Sequence, residues 1–310
     1  MDFFSGWCKS KRRLDGCVAI VTGCNTGIGK ETVLDFFSRG ARVIMACRDV
    51  SKANDARKDI EDALAKQENT GELVVEKLDL CSFASVREFV NRLSASESHI
   101  DILVNNAGVM MCLEGKTEDG FETHIGSNHL AHALLTILLL PKLKSSDAAR
   151  VLFISSYLHL KGFIDLENMN FEKSPYNAYK AYCNSKAANV LFAKSLANEL
   201  KKHNITNVTT YAIHPGVIRT DISKHFSSSL AWGATWLFKN VVGLFIKSPK
   251  CGAQTTIYCA IDEQCANESG LYYADCAVSR PSKQCRDEVF VEKFWLWTLE
   301  SLNMKNKDVV

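Results

Sequence analysis

Short apolar runs alternate with longer segments whose apolar residues recur every three or four positions, nearly from end to end of the chain. Buried strands separated by amphipathic helices are the signature of a parallel sheet covered on both faces. Residues 17–22, 42–46, 73–78, 102–105, 149–154, 208–213 and 271–274 read as strands in that order. The first helix opens at a glycine-rich turn and ends at Arg39-Gly40, with Gly40 in the C-terminal cap position. Ser82 caps a helix running through Leu93. Two long helical segments follow, one over about 120–142 ended by Pro141 and one over about 178–202, and a terminal helix covers about 289–302. The expected fold is α/β: a doubly wound parallel sheet in three layers, forming a single domain over 17–302 between a leader (1–16) and a tail (303–310).

The stretch 226–246 is rich in Trp, Leu, Phe, Val and Ile, but Gly233, Lys239, Asn240 and Gly243 interrupt it. An apolar lid over a ligand pocket, at about 221–250, explains it more economically than a membrane span. The leader carries Phe3, Phe4 and Trp7 followed by Lys9, Lys11, Arg12 and Arg13. It is far short of the ~20 apolar residues a span needs. It suits a solvated leader or peripheral contact with an anionic membrane surface equally well.

Lys and Arg total 37 against 35 acids, so the field is nearly balanced and nothing suggests the clustered positive footprint nucleic acid requires; no nucleic-acid partner is expected. Twelve cysteines are scattered from Cys8 to Cys285 with no C-x-x-C pair, so reduced, mostly buried thiols are expected. No motif calls for a metal. Three glycosylation sequons, at Asn204, Asn207 and Asn267, matter only in a secreted protein.

Gly23, Gly27 and Gly29 follow G-x-x-x-G-x-G between an apolar run and an amphipathic segment. Such a loop turns tightly and lets backbone N–H groups at a helix start hold a pyrophosphate, which makes Asn25, Thr26 and Ile28 cofactor candidates as well. At the end of the second strand, an acid accepts from a ribose 2′-hydroxyl whereas an arginine pairs with a 2′-phosphate. Arg48 holds that position and Asp49 follows one residue too late, so NADP(H) is favoured over NAD(H). Asp79-Leu80 is a candidate adenine contact, with a helix cap as the plainer role for Asp79. Asn106, Ala107 and Gly108, after Asn105, end the fourth strand beside the switch-point crevice, where small residues admit a dinucleotide.

Tyr182 and Lys186 lie four residues apart inside a helical run, hence on one face. A phenol exchanges protons poorly near neutral pH unless a fixed positive charge favours its ionised form, and Lys186 supplies one. Tyr176 and Lys180 form a second pair at the same spacing, but that pair begins just after Pro175. A nucleotide loop and an activated phenol together point to hydride transfer.

With these segments in order, the chain resembles the short-chain dehydrogenase/reductase family, a Rossmann fold, over about residues 15–300. Ala46-Cys47-Arg48-Asp49, Asn128-His129-Leu130-Ala131-His132, Ala181-Tyr182-Cys183-Asn184-Ser185-Lys186 and His214-Pro215-Gly216 look like its NADP(H)-using retinol dehydrogenase branch. The resemblance implies a tetrad of Asn128, Ser156, Tyr182 and Lys186. Tyr182 would donate the proton in carbonyl reduction, Ser156 would give a second hydrogen bond, Lys186 would also hold the nicotinamide ribose, and Asn128 would anchor water. Alternation along the strand sends only one of Ser155 and Ser156 to the cleft, and the family motif favours Ser156. Pro215, Gly216 and Thr220 match the family's turn over the nicotinamide.

Met110, Met111 and Tyr157 are candidates for the substrate pocket beside Ser156. The apolar chain after Thr220 suits a lipophilic alcohol or aldehyde, foremost retinol and retinal. A steroid or farnesol dehydrogenase, and a non-catalytic NADP-responsive binding protein, are the competing readings. A homodimer and a cytoplasmic enzyme, with association with the cytosolic face of the endoplasmic reticulum membrane left open, complete the expectations.

Overall fold

Strand β1 (Val18–Thr22) is buried along its whole length. It runs parallel to β2 (Arg42–Cys47), which pairs in turn with β3 (Glu72–Lys77). On its other side lie β4 (Ile102–Asn105), β5 (Ala149–Ile154), β6 (Val208–His214), β7 (Leu271–Ala274) and β8 (Ala277–Ser279). The computed structural model describes residues 2, 5–216, 247–306 and 309. Among these the sheet order is β3-β2-β1-β4-β5-β6-β7-β8, parallel throughout except for β8. Strand order reverses between β1 and β4, which opens a crevice beyond their carboxyl ends where nucleotides lie in such sheets.

Alternate side chains of each central strand feed two cores. Ala19, Val21, Val43 and Met45 pack with Val33 and Phe36 of helix α1 (Gly27–Ser38), with Ala53 and Ile60 of α2 (Val50–Ala63), and with nearby residues of a further helix at 249–261. Ile20, Ile44, Leu103 and Phe153 face the other way. They meet α3 (Phe83–Ser96), α4 (Ala131–Lys144), α5 (Ala178–Lys202) and, later in the chain, a helix at 288–301. These last two helices are α6 (Pro249–Ile261) and α7 (Glu288–Ser301). The three-layer, doubly wound expectation holds.

Several boundaries differ from the sequence expectation for identifiable reasons. Pro141 does not end its helix; α4 continues to Lys144, because one missing N–H costs a single internal bond while the helix is apolar and buried on nearly every side. The same segment does not begin as an α-helix at residue 120. It opens with one π-helical stretch, Ile125–Leu130, in which the Ala131 N–H reaches back to the Gly126 carbonyl.

Helix α2 escaped notice because only Ala53, Ala56 and Ile60 are buried on it. Helix α6 takes in residues 249 and 250 of the expected lid, with Ser248 capping it by accepting from the Cys251 N–H. The lid's residues 221–246, and Thr220, lie outside the described residues. Strand β8 follows a two-residue turn at Asp275 and Cys276, both at positive φ, where glycine is the usual turn signal.

The leader is docked rather than free. The Arg39 guanidinium donates to the carbonyls of Ser10 and Arg12, the Cys8 N–H donates to Gln254, and Leu14 is fully buried. No described helix is long and apolar enough to cross a membrane. All twelve cysteines are free thiols and most are buried.

Candidate active site

The glycine loop joins β1 to α1 beneath the crevice. Gly23 and Gly27 both adopt positive φ, and a Cβ on Gly29 would lie 2.6 Å from Asn106 Nδ2 and 2.7 Å from Cys24 Cα. Only glycine lets loop and strand end approach this closely. Asn106 fastens the two together by donating to the Thr22 and Gly23 carbonyls at 2.8 and 3.1 Å. Thr26 opens α1 in extended conformation without a side-chain cap, and no acid sits in the first turn, so its N–H groups face the crevice end unopposed. Asn25 is half-buried beside Thr26, and Ile28 packs onto the core.

At the end of β2, Arg48 is exposed and pairs with no carboxylate among the described residues. Asp49 is committed elsewhere: it caps α2 by accepting from the Lys52 N–H at 3.1 Å and pairs with the Lys52 ammonium at 2.9 Å. Asp79 closes a local turn by accepting from the Cys81 N–H at 2.9 Å rather than capping the helix, a role Ser82 takes by accepting from the Ser85 N–H, and Leu80 packs against the core.

Helix α5 carries Tyr182 and Lys186 into the cleft. Tyr182 is 7% exposed, Ser156 lies close enough to its phenol to oppose the upward shift that burial causes, and Lys186 Nζ stands over the ring at 5.7 Å from its centre. Lys186 is buried, donates to the Ile154 carbonyl at 3.0 Å, and is pulled down to about 8 by desolvation. Ser155 points away from the cleft and donates to the Lys186 carbonyl at 2.7 Å. Asn128 sits in the π-helical stretch. Its side-chain oxygen accepts from the Val109 N–H at 2.8 Å, and its amide donates to the Val109 carbonyl and to Ser185 Oγ, each at 3.0 Å. A Cβ on Gly108 would lie 3.2 Å from Lys186 Nζ and 3.3 Å from Asn128 Oδ1, so Gly108 opens the space between them.

The competing Tyr176–Lys180 pair does not form a helical face, since Tyr176 precedes α5, donates to the Cys112 carbonyl at 3.0 Å, and leaves Lys180 exposed.

The short chain dehydrogenase family model matches residues 17–231. Human retinol dehydrogenase 11 is 46% identical over 291 residues, 94% of this chain and 87% of that protein. Human retinol dehydrogenase 12 is 43% identical over 304 residues, 98% of this chain and 92% of its own. Among solved structures, an uncharacterized protein of Mycobacterium paratuberculosis matches with TM-score 0.76 at 28% identity, covering 97% of this chain and 99% of that one. The Pseudomonas aeruginosa RhlG/NADP complex matches with TM-score 0.65 at 25% identity over 84% and 94% of the two chains. This chain belongs to the short-chain dehydrogenase family.

Within that family it falls in the retinol dehydrogenase branch, and it is an oxidoreductase using a nicotinamide cofactor. The crevice of this dehydrogenase fits such a group on its own geometry: an uncapped helix start for the pyrophosphate, and a glycine at 108 where any Cβ would crowd Lys186.

One electrostatic expectation is overturned. Lys186 does not hold the Tyr182 phenol below its ordinary range; burial raises it to about 12, against the smaller opposing effect of the Ser156 hydrogen bond. The physical reason is that the ammonium lies over the ring with a proton directed to Ile154, while the phenol is almost wholly out of water.

Substrate candidates divide. Met110 and Met111 are half-buried on the loop that Asn128 staples, with Met111 at φ 54, a strained conformation for a side chain of its size. Tyr157 is 56% exposed, and its ring lies 6.1 Å from that of His214. Pro215 is buried, and Gly216 adopts φ 96 with its N–H donating to His214 Nδ1 at 3.3 Å.

Sequence reasoning missed the support behind Tyr182. The buried Glu122 carboxylate accepts from the N–H groups of His124 and Ile125, each at 2.9 Å, so it caps the π-helical stretch. It also binds His124 Nδ1 at 2.6 Å, and the His124 ring meets Tyr182 edge-on at 6.2 Å. The signal was available: an acid six residues before Asn128 at the start of an apolar helix.

Proposed function

We propose that this dehydrogenase interconverts retinol and retinal with NADP(H), with Tyr182 as the group that exchanges a proton with the substrate oxygen. The observation that carries the proposal is the buried Tyr182 side chain with the Lys186 ammonium standing over its ring. Bound cofactor supplies the hydride. As the carbonyl carbon becomes tetrahedral, its oxygen gathers negative charge and takes the Tyr182 proton, and Ser156 donates a second hydrogen bond to it. The phenolate left behind is stabilised by Lys186, and alcohol oxidation reverses both transfers.

Arg48, which pairs with no carboxylate among the described residues and stands next to an Asp49 already spent on capping α2, supports NADP(H) through pairing with the 2′-phosphate. The names of the similar human proteins support a retinoid substrate. Paired steady-state kinetics with NADPH on retinal, farnesal and a ketosteroid test it. The expected result is the highest kcat/KM for retinal; much slower turnover of retinal than of both others would remove the retinoid assignment.

A further inference from the structure

The side chain of Asn128 is held by Val109 and Ser185, but its backbone carbonyl is held by a different group. His132, fully buried in the first turn of α4, places Nδ1 3.0 Å from the Asn128 carbonyl oxygen and Nε2 2.9 Å from Thr22 Oγ1. A carbonyl oxygen only accepts, so Nδ1 carries the proton. Nε2 is therefore an acceptor, and the Thr22 hydroxyl donates to it. Thr22 Oγ1 in turn accepts the N–H groups of Asn106 and Ala107, each at 2.9 Å. One continuous line of hydrogen bonds thus runs from the strand-end backbone under the cofactor crevice, through Thr22 and His132, to the turn that carries Asn128.

This position lies in a helix made mostly of Leu, Ile and Ala, where a buried imidazole is costly unless both nitrogens are satisfied. At His132 both are. His129, three residues earlier and equally buried, leaves Nδ1 without a partner and is packed among Phe192, Phe294 and Trp297. Burial, with the Lys186 charge as a smaller contribution, takes His132 down to about 4, which preserves the neutral tautomer the line requires.

We propose that His132 is a positioning residue that ties the cofactor floor to the catalytic turn, Nδ1–H fixing the Asn128 backbone and Nε2 fixing Thr22 and, through it, the Asn106–Ala107 backbone. The inference rests on the reading of Tyr182 and Lys186 as the hydride-transfer centre. The two ends of the strut have separable consequences. Loss of the Asn128 end loosens the turn that bonds Val109 and Ser185, the chain neighbours of Gly108 and Lys186, and lowers kcat. Loss of the Thr22 end loosens the floor of the crevice and weakens cofactor binding.

Two partial isosteres separate the ends. His132→Asn keeps a donor at the Nδ1 position, whereas His132→Gln presents its amide near the Nε2 position. The readouts are NADPH Kd by fluorescence titration, kcat for reduction of an apolar aldehyde, and Tm to establish the folded fraction. Losing one buried hydrogen bond corresponds to a change of about fivefold to tenfold. His132→Asn is expected to raise NADPH Kd by about that factor with kcat per folded molecule within about twofold, and His132→Gln to do the reverse. Equal changes in both variants, or wild-type behaviour in both, would overturn the proposal. Tyr182→Phe, assayed in parallel, tests the underlying reading separately: if it retains turnover, that reading fails, while the Kd contrast between the two His132 variants still decides the Thr22 end of the strut.

Discussion

Lys186 Nζ stands over the Tyr182 ring, 5.7 Å from its centre, and donates to the Ile154 carbonyl at 3.0 Å. No carboxylate among the described residues neutralises it, so its full charge is available to the phenolate that forms as Tyr182 gives up its proton. Desolvation brings Lys186 down to about 8, so it is charged below that pH and neutral above it. The rate of carbonyl reduction is therefore expected to be level through neutral pH and to fall above about pH 8. Lys186→Met should lose about 100-fold in kcat or more, and its residual rate should lack that alkaline limb. A pH–rate profile of both proteins checks this.

Arg48 is exposed and pairs with no carboxylate among the described residues, while Asp49 is tied to Lys52. Removing a charge-assisted contact to a phosphate costs about 1.5–3 kcal/mol, or roughly 10–150-fold in Kd. Arg48→Ala should weaken NADPH binding by that range and leave NADH binding within about twofold. Titration with both cofactors measures the difference.

At Gly108 a methyl group would sit 3.2 Å from Lys186 Nζ and 3.3 Å from Asn128 Oδ1, and both atoms are fixed by other hydrogen bonds. Displacement of either by a fraction of an ångström disturbs the proton-transfer geometry more than the fold. Gly108→Ala should lower kcat by about tenfold or more with Tm reduced by only a few degrees. Melting curves alongside kinetics separate the two effects.

The sheet was legible because β4, β5 and β7 are short apolar runs bounded by polar or turn residues, and their expected limits match the structure. Helix α5 was equally plain, with Asn177 capping it before a long periodic face. The unread parts share a cause: their signal is not periodic. The π-helical stretch around Asn128 breaks the 3.6-residue period, α2 buries too little to mark a face, and β8 turns at Asp275-Cys276 without glycine. Tyr182 and Lys186 were visible as a spacing, but the sign of the phenol's shift was not, since burial is a property of the fold and outweighs the opposing effect of Ser156.

His129 and His132 are fully buried, and desolvation takes them to about 3 and about 4. In the unfolded chain each binds a proton near its ordinary pKa of about 6.5. Below that pH the unfolded state takes up protons that the native state refuses, so stability is full above about 6.5 and falls as pH drops toward 4. Tm should decline steadily between pH 7 and pH 4.5. A flat profile over that interval would contradict neutral, buried imidazoles at these positions.

The most direct measurement is on Tyr182→Phe, which removes one hydroxyl and leaves the ring under Lys186. NADPH affinity should remain within about twofold of wild type, while kcat for retinal reduction falls at least about 100-fold, the loss of a positioned general acid. Turnover within a few-fold of wild type, at undiminished cofactor binding, would contradict proton transfer by this phenol.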